Sequence, residues 1–251
     1  MAKAIPIELL PVLARSFGRF PLKEEFSSGL VIAVDKPLGW SSFDVVRFVR
    51  HRIPIRKVGH AGTLDPMASG LLLLCCGKAT KSVSLLQDMP KEYLAKVRFG
   101  TSTLSYDSES MIDEKAPWEH ITLQQIQDVI KDQFLGSVQQ VPPIYSALHI
   151  NGERMYKLAR RGEKIDPVSR SVMVYDIELL SGEMPEIELR IRCGKGFYVR
   201  SLAHDLGKAL GTVAHLSGLS RTAIGSFLRE EALSIDEIRE WGQDGQNDPT
   251  G

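Results

Sequence analysis

The chain has 251 residues, 43% hydrophobic and 25% charged, with 31 basic residues balancing 31 acidic ones. That composition belongs to a globular protein able to bury a core without a disulfide or metal staple, and it excludes disordered and collagen-like classes. The longest apolar run, Leu71 to Cys76, is far below the ~18 residues of a membrane helix.

Residues 1–28, broken by Pro6, Pro11, Gly18 and Pro21, read as an N-terminal extension outside the core, with no signal-peptide cleavage site. Leu30 to Val34 reads as a strand and Lys36-Pro37-Leu38-Gly39 as a turn. Ser41-Ser42-Phe43-Asp44 opens a helix with a capping box. Val45, Val46, Phe48 and Val49 share its apolar arc, and Arg47, Arg50 and His51 its basic one. Alternation at Tyr93, Ala95, Val97 and Phe99 predicts a strand. Thr122 and Gln125 form a second capping box, for a helix to Leu135 with a stripe of Leu123, Ile126, Ile130 and Phe134, ended by Gly136. Val172 to Leu180 and Ile187 to Cys193 are further strands, Arg200 to Leu210 is a helix, and a short helix starts at Ser234 before a polar tail from Gln243. Strands and helices do not alternate regularly, so the fold class is α+β. The expected boundaries are an extension over 1–28, a single domain over 29–229 and an acidic tail over 230–251.

Cys75, Cys76 and Cys193 have neither disulfide nor zinc spacing and read as buried, reduced thiols of a cytoplasmic protein. From Glu230 onward seven acids face a single base, Arg239, leaving residues 1–229 with 30 bases against 24 acids. Val45 to Leu64 holds Arg47, Arg50, Arg52, Arg56 and Lys57 without an acid. Arg154 to Lys164 and Arg190 to Arg200 are further basic runs. Single runs are ordinarily solvated faces; three of them point to a polyanion partner.

The stretch Gly59-His60-Ala61-Gly62-Thr63-Leu64-Asp65-Pro66-Met67-Ala68-Ser69-Gly70 admits two readings. Pro66 suits a first helical position, which would make Asp65 a helix N-cap. Alternatively, Asp65 is a nucleophilic carboxylate presented on a glycine-permitted turn.

This stretch resembles the catalytic motif of the bacterial tRNA pseudouridine-55 synthases, the TruB family. The resemblance extends to Val34-Asp35-Lys36-Pro37-Leu38-Gly39-Trp40-Ser41-Ser42, Lys91-Glu92-Tyr93 and Val141-Pro142-Pro143-Ile144-Tyr145-Ser146-Ala147-Leu148. It continues through Cys193-Gly194-Lys195-Gly196-Phe197-Tyr198-Val199-Arg200-Ser201-Leu202 and Leu219-Ser220-Arg221. These blocks keep family order from about Leu30 to Phe227 and favour the functional reading of Asp65.

The resemblance implies the pseudouridine synthase fold, a central mixed, mainly antiparallel sheet flanked by helices. The implied reaction isomerises uridine to pseudouridine at position 55 in the T loop of tRNA by base flipping, without cofactor or metal. Asp65 is implied as the essential carboxylate, Arg200 as its paired cation, and Tyr93 as the ring that stacks on the target uracil. Leu219 is implied on the other side of the base, His60 in the space vacated by flipped bases, and Tyr198 in the substrate-binding set. By bland readings these would be a solvent-facing arginine, a core tyrosine, a core leucine and a loop histidine. Lys36 and Pro37 are implied as supports of the catalytic loop. An RNA-contacting insertion at about 141–170 would use Arg154, Lys157, Arg160, Arg161 and Lys164 on phosphates.

Two departures stand out. The family's Thr-Asp-Thr-x-Asp appears as Thr103-Leu104-Ser105-Tyr106-Asp107, which puts a local support contact in doubt. The 24 residues after Phe227 are fewer than the PUA domain of well-studied members. The expected partner is therefore the T arm of tRNA, with no protein partner, the chain acting as a monomer. The alternatives are a same-family synthase acting on another RNA and a tRNA-binding or tRNA-folding protein; the latter would be expected to lack Asp65 or Arg200.

Overall fold

The two most apolar stretches of the sequence become paired strands. β2 (Leu30–Lys36) and β4 (Ala68–Cys76) run antiparallel, Leu30 opposite Cys76 and Lys36 opposite Gly70. Neither alternates apolar with polar residues, so both faces of the pair need cover. On one face Ile32, Val34, Leu72 and Leu74 pack with Val45, Val46 and Val49 of α2 (Ser42–Arg50). On the other, Val31, Ala33, Leu71 and Leu73 pack with Ala79 and with Leu86 of α3 (Val83–Asp88). The α2 capping box forms as expected: Asp44 N donates to Ser41 Oγ (3.1 Å) and Ser41 N to Asp44 Oδ2 (3.0 Å).

The computed structural model describes residues 3–146, 148–150, 153–155, 158, 161, 163 and 166–244. The chain divides into two compact units, Met1–Lys91 with Ser220–Gly251, and Glu92–Leu219. No helix among the described residues is long and apolar enough to cross a membrane.

In the first unit, both chain ends differ from expectation. The expected extension over 1–28 is not outside the core where it is described, from residue 3: β1 (Val12–Leu13) pairs in parallel with β2, and Leu10, Leu13 and Phe26 are buried. Phe26 lies in α1 (Lys23–Ser28). A two-residue strand has no periodicity to read, and the prolines around it hide the contribution. The acidic C-terminal stretch also joins the core. Leu233 donates to Ala33 O (2.9 Å) and accepts from Asp35 N (2.8 Å), while Ile235 and Ile238 of the last helix (Ile235–Asp244) are buried. That helix starts where expected, with Glu237 N bonded to Ser234 Oγ (3.1 Å); the polar tail beyond Asp244 lies outside the described residues.

The second unit is built mainly from half-buried strands, together with a short antiparallel pair, β6 (Thr101–Thr103) and β7 (Ile112–Lys115). In β5 (Lys91–Phe99) Ala95, Val97 and Phe99 are buried while Lys96 and Arg98 are exposed, as alternation predicts. β12 (Glu186–Cys193) behaves alike and pairs antiparallel with β11 (Arg170–Glu183), which pairs antiparallel with β8 (Gly136–Gln140). Two helices, here α4 (Leu123–Gln133) and α5 (Val199–Ala209), contact each other, and α4 contacts β11. The last helix is thus α6. In α4, Ile126 and Ile130 are buried, but Leu123, expected in the stripe, is 39% exposed because it sits in the first turn at the stripe's edge. β13 (Ala214–Ile224) gives its first residues to the second unit and its last five to the first. Parallel and antiparallel pairs together give the mixed, mainly antiparallel α+β architecture. All three cysteines are buried, and burial pushes the Cys75 and Cys76 thiols up to about 12.

Candidate active site

In the first unit β3 (Val58–His60) pairs antiparallel with β4, His60 opposite Leu74, so that residues 61–67 form the tip of a hairpin. Ala68 N bonds Asp65 O (3.1 Å), closing a tight turn with Pro66 in the position that suits its fixed φ. The chain then enters β4. No helix follows, so the N-cap reading of Asp65 does not hold. Asp65 is half-buried, between Leu64 at 3% exposure and the turn.

The backbone on either side of Asp65 is pinned. Buried Ser42, at the start of α2, donates its hydroxyl to Leu64 O (3.0 Å) and accepts from Leu64 N (2.8 Å). Gly39 N holds Pro66 O (2.8 Å). Arg221 of β13, 1% exposed, donates Nε to Leu71 O (2.7 Å), Nη1 to Thr63 O (3.4 Å) and Nη2 to Gly62 O (3.3 Å). This contact fixes the residue at position 70. Gly70 has φ +102°, and a Cβ there would stand 2.3 Å from Arg221 O, so only glycine fits. Lys36, fully buried, donates Nζ to Pro37 O (3.0 Å) and Trp40 O (2.5 Å) and thereby shapes the turn that carries Gly39. Its expected supporting role has this physical form. Arg229 grips Asp35 with two nitrogens (3.0 and 3.2 Å) and reaches Ser220 Oγ (2.7 Å), tying the strand that carries Lys36 to the one that carries Arg221. A side chain on a backbone held at residues 62, 63, 64, 66 and 68 is preorganised. His60, half-buried, lies at the end of β3 on the same hairpin.

The other expected residues belong to the second unit. Arg200, in the first turn of α5, is 5% exposed and does not face solvent. Nη1 lies 3.3 Å from Asp107 Oδ2 and donates to Ser105 O (3.2 Å); Nη2 donates to Tyr145 O (3.1 Å). Asp107, fully buried, also accepts from Ser105 Oγ (2.5 Å) and Glu109 N (3.0 Å). Asp107, the acid that the altered Thr103–Asp107 sequence keeps, thus supports Arg200 together with Ser105, while Leu104, in place of the lost acid, is exposed. Tyr198, half-buried, is bracketed by Gln140, which accepts from Tyr198 N (2.8 Å) and donates to Tyr198 O (3.0 Å). Tyr93 lies on the buried side of β5 at 9% exposure, the orientation its periodicity predicts, and Leu219 is half-buried in β13.

In the insertion, β9 (His149–Ile150) and β10 (Glu153–Arg154) form an antiparallel pair. Arg161 is exposed but not an idle cation. It holds Glu153 (2.5 Å) and Glu163 (2.7 Å), and those hydrogen bonds raise its pKa. The sequence counts a positive charge here without showing that two carboxylates answer it. Arg160, Lys157 and Lys164 lie outside the described residues. Among the described residues no group of three or more His, Cys, Asp or Glu side chains could hold a metal.

Sequence reasoning assigned no role to Ser42, Gln140 or Arg221. Arg221 stands in a quoted block, but nothing in a strand's sequence announces a guanidinium that will be swallowed whole.

A mixed sheet carrying helices and an aspartate on a pinned hairpin tip within a Gly-His-Ala-Gly-Thr-Leu-Asp-Pro motif are the marks of a pseudouridine synthase. The chain belongs to the TruB family of these enzymes. The family model for the TruB family pseudouridylate synthase N-terminal domain matches residues 50–199, and that for the tRNA pseudouridylate synthase B C-terminal domain matches 200–249. Proteins named tRNA pseudouridine synthase B from Phocaeicola vulgatus and Flavobacterium johnsoniae are 43% and 44% identical over 222 and 224 residues. These matches cover 86% of this chain in both cases, and 94% and 97% of the relatives. Among solved structures, the archaeal box H/ACA sRNP Nop10–Cbf5 complex superimposes with a TM-score of 0.67 at 26% identity over 92% of this chain. An H/ACA RNP bound to a substrate RNA gives a TM-score of 0.66 at 28% identity over 98%. The chain spans only 59% and 64% of the length of those two neighbours.

Proposed function

We propose that this chain isomerises the uridine at position 55 in the T loop of tRNA, with Asp65 as the required carboxylate. Isomerisation of uridine in tRNA is the activity of the family, and relatives at 43–44% identity carry that substrate in their names. The H/ACA neighbours, at 26% and 28%, stand further away, which favours tRNA over other RNAs. In the reaction the N1–C1′ bond of the uridine breaks and a C5–C1′ bond forms. C5 loses a proton and N1 gains one, so composition is unchanged and no external electron carrier enters.

The observation that carries the reading is the presentation of Asp65. The backbone on either side of it is fixed by Ser42, Gly39 and Arg221 while the residue stays partly accessible. Whether the carboxylate meets the sugar or the base first, it must be ionised and held in place. We assign Arg200 the role of holding that charge, for which a planar fork is better suited than an ammonium. Tyr93 and Leu219 hold the flipped uracil, Tyr198 lines the same substrate site, and His60 fills the space left in the loop. The T arm suffices as substrate, because shape and flipped bases are what these residues can read.

The test is Asp65→Asn, a nearly isosteric change. The variant should bind a T-arm stem–loop and form no pseudouridine, as mapped at single-nucleotide resolution. Turnover above background, or modification of wild-type substrate only when the acceptor end is present, would overturn the reading.

A further inference from the structure

Beside the catalytic hairpin, α2 and the turn before it enclose a cavity of about 450 Å³ lined by Gly39, Trp40, Asp44, Arg47, Phe48, His51 and Arg52. This volume lies in the range of small-ligand sites, roughly 300–1,000 Å³. Its wall is aromatic: the Trp40 and Phe48 rings meet edge to face at 5.5 Å and 72°. Its charge is positive. Arg52 lies over the Phe48 ring at 3.5 Å from the centroid, and its Nη1 donates to Phe48 O (3.1 Å). No carboxylate pairs with Arg52 among the described residues. A second guanidinium, Arg239, itself held by Asp236, stands 5.9 Å from the same ring, and burial together with that neighbour lowers the pKa of Arg52.

The one acid of the lining does not offset this. Asp44 is occupied by its helix cap, accepting from Ser41, and by Arg47 (3.0 Å). His51 and Arg47 are exposed at the rim. A cation that is partly desolvated, stacked on a ring and beside another cation is unfavourable by itself and is relieved by an anion. An aromatic wall next to such a cation suits a nucleotide, whose base stacks and whose phosphate takes the guanidinium. Gly39 links the cavity to the reaction: it lines the cavity, and its N–H holds Pro66 O, one residue from Asp65.

We propose that this cavity is a nucleotide subsite that takes one phosphate-bearing nucleotide of the RNA strand, its phosphate on Arg52 and its base against Trp40. The proposal rests on the reading that the chain modifies RNA, and it adds a contact away from the flipped uridine. The occupant is a nucleotide of the substrate strand and not a free mononucleotide, because the cavity has a single unanswered cation and lies beside the hairpin that carries Asp65.

The experiment uses the full chain and three probes: a T-arm stem–loop RNA, uridine monophosphate and inorganic phosphate. Arg52→Gln should weaken RNA binding about tenfold, the scale of one charged hydrogen bond. It should also flatten the slope of log affinity against log salt by about 0.7–0.9, the signature of one lost phosphate contact. Arg19→Gln, which removes an arginine paired with Glu25 elsewhere in the first unit, should change neither. RNA should quench tryptophan fluorescence in the wild type, and Trp40→Phe should abolish that quenching; this second variant decides the matter if Arg52→Gln fails to fold. Unchanged RNA affinity and slope in Arg52→Gln, or unchanged quenching in Trp40→Phe, would overturn the subsite. So would uridine monophosphate or inorganic phosphate binding as tightly as RNA, which would mark a site for free anions. Pseudouridine formation by the wild type separates the two levels: its absence sinks the functional reading, and its presence with intact Arg52→Gln binding sinks only the subsite.

Discussion

Replacing Arg221 by methionine tests whether the catalytic loop is positioned from β13. Methionine fills a similar volume and adapts to irregular space, so the change chiefly removes donors from the buried Leu71 carbonyl and the partly buried carbonyls of Gly62 and Thr63. Hydrogen bonds to charged groups contribute roughly 1.5–3 kcal/mol each. The Leu71 bond at 2.7 Å belongs in that range, while those to Thr63 and Gly62 at 3.4 and 3.3 Å fall below it. The expected loss is about 3 kcal/mol. At about 2–4 °C per kcal/mol for a chain of this size, the melting temperature should drop by roughly 6–12 °C. The functional consequence is separate. Gly62 and Thr63 lead directly to Asp65, and a displacement of about 1 Å at a reacting group costs on the order of 10²-fold. Single-turnover pseudouridine formation, measured well below the melting temperature with saturating T-arm RNA, should fall by at least tenfold. Arg221→Lys should not restore it, because one ammonium cannot reach both sides of the loop as the fork does. A variant that melts lower but keeps the wild-type single-turnover rate would refute the positioning argument. An unchanged melting temperature would refute the energetic one.

Two further outcomes follow from charges in the second unit. Burial raises the Asp205 carboxyl to about 6, so between pH 4 and 6 the folded chain keeps a proton that the unfolded chain has lost. Stability therefore falls as pH rises through that window. Two pK units correspond to about 3 kcal/mol, and exposure of part of the group reduces this to about 1 kcal/mol. Asp205→Asn should be more stable than wild type by that amount at pH 7.5 and indistinguishable at pH 4, as read from urea midpoints; His204, lowered to about 4 by burial, contributes with opposite sign in both proteins and drops out of the difference. Arg161→Ala should flatten the salt dependence of RNA binding by less than one unit, since Glu153 and Glu163 already answer its charge. A full unit would show that RNA displaces both glutamates.

The sequence was most legible where one local rule acts alone. The Ser41/Asp44 and Thr122/Gln125 capping boxes and the alternation in β5 and β12 all follow from neighbours within four residues. The hairpin motif was legible as chemistry through its resemblance to a family, whereas spacing alone left Asp65 between a helix cap and a nucleophile. What stayed hidden depends on partners far along the chain. The burial of Leu13 and Phe26 requires β2 to receive them. The engagement of Arg161 depends on a glutamate eight residues away. Arg221 is read as one more base until Gly62, Thr63 and Leu71 turn their carbonyls toward it. Charge counting treats all such residues alike and cannot tell a clamp from a solvated surface group.

The division of the chain imposes an order of assembly during synthesis. Residues 92–219 are contiguous and form the second unit without later sequence, whereas the first unit waits for residues 220–244. Until those residues leave the ribosome, Val34 lacks its bridge partner Leu233, the core lacks Ile235 and Ile238, and the hairpin tip lacks Arg221. Domains fold as units as they emerge. A nascent chain would therefore own a folded second unit while its aspartate still sat on a loop without the Arg221 clamp. Chemistry is switched on last, by the strand that both leaves the second unit and closes the first.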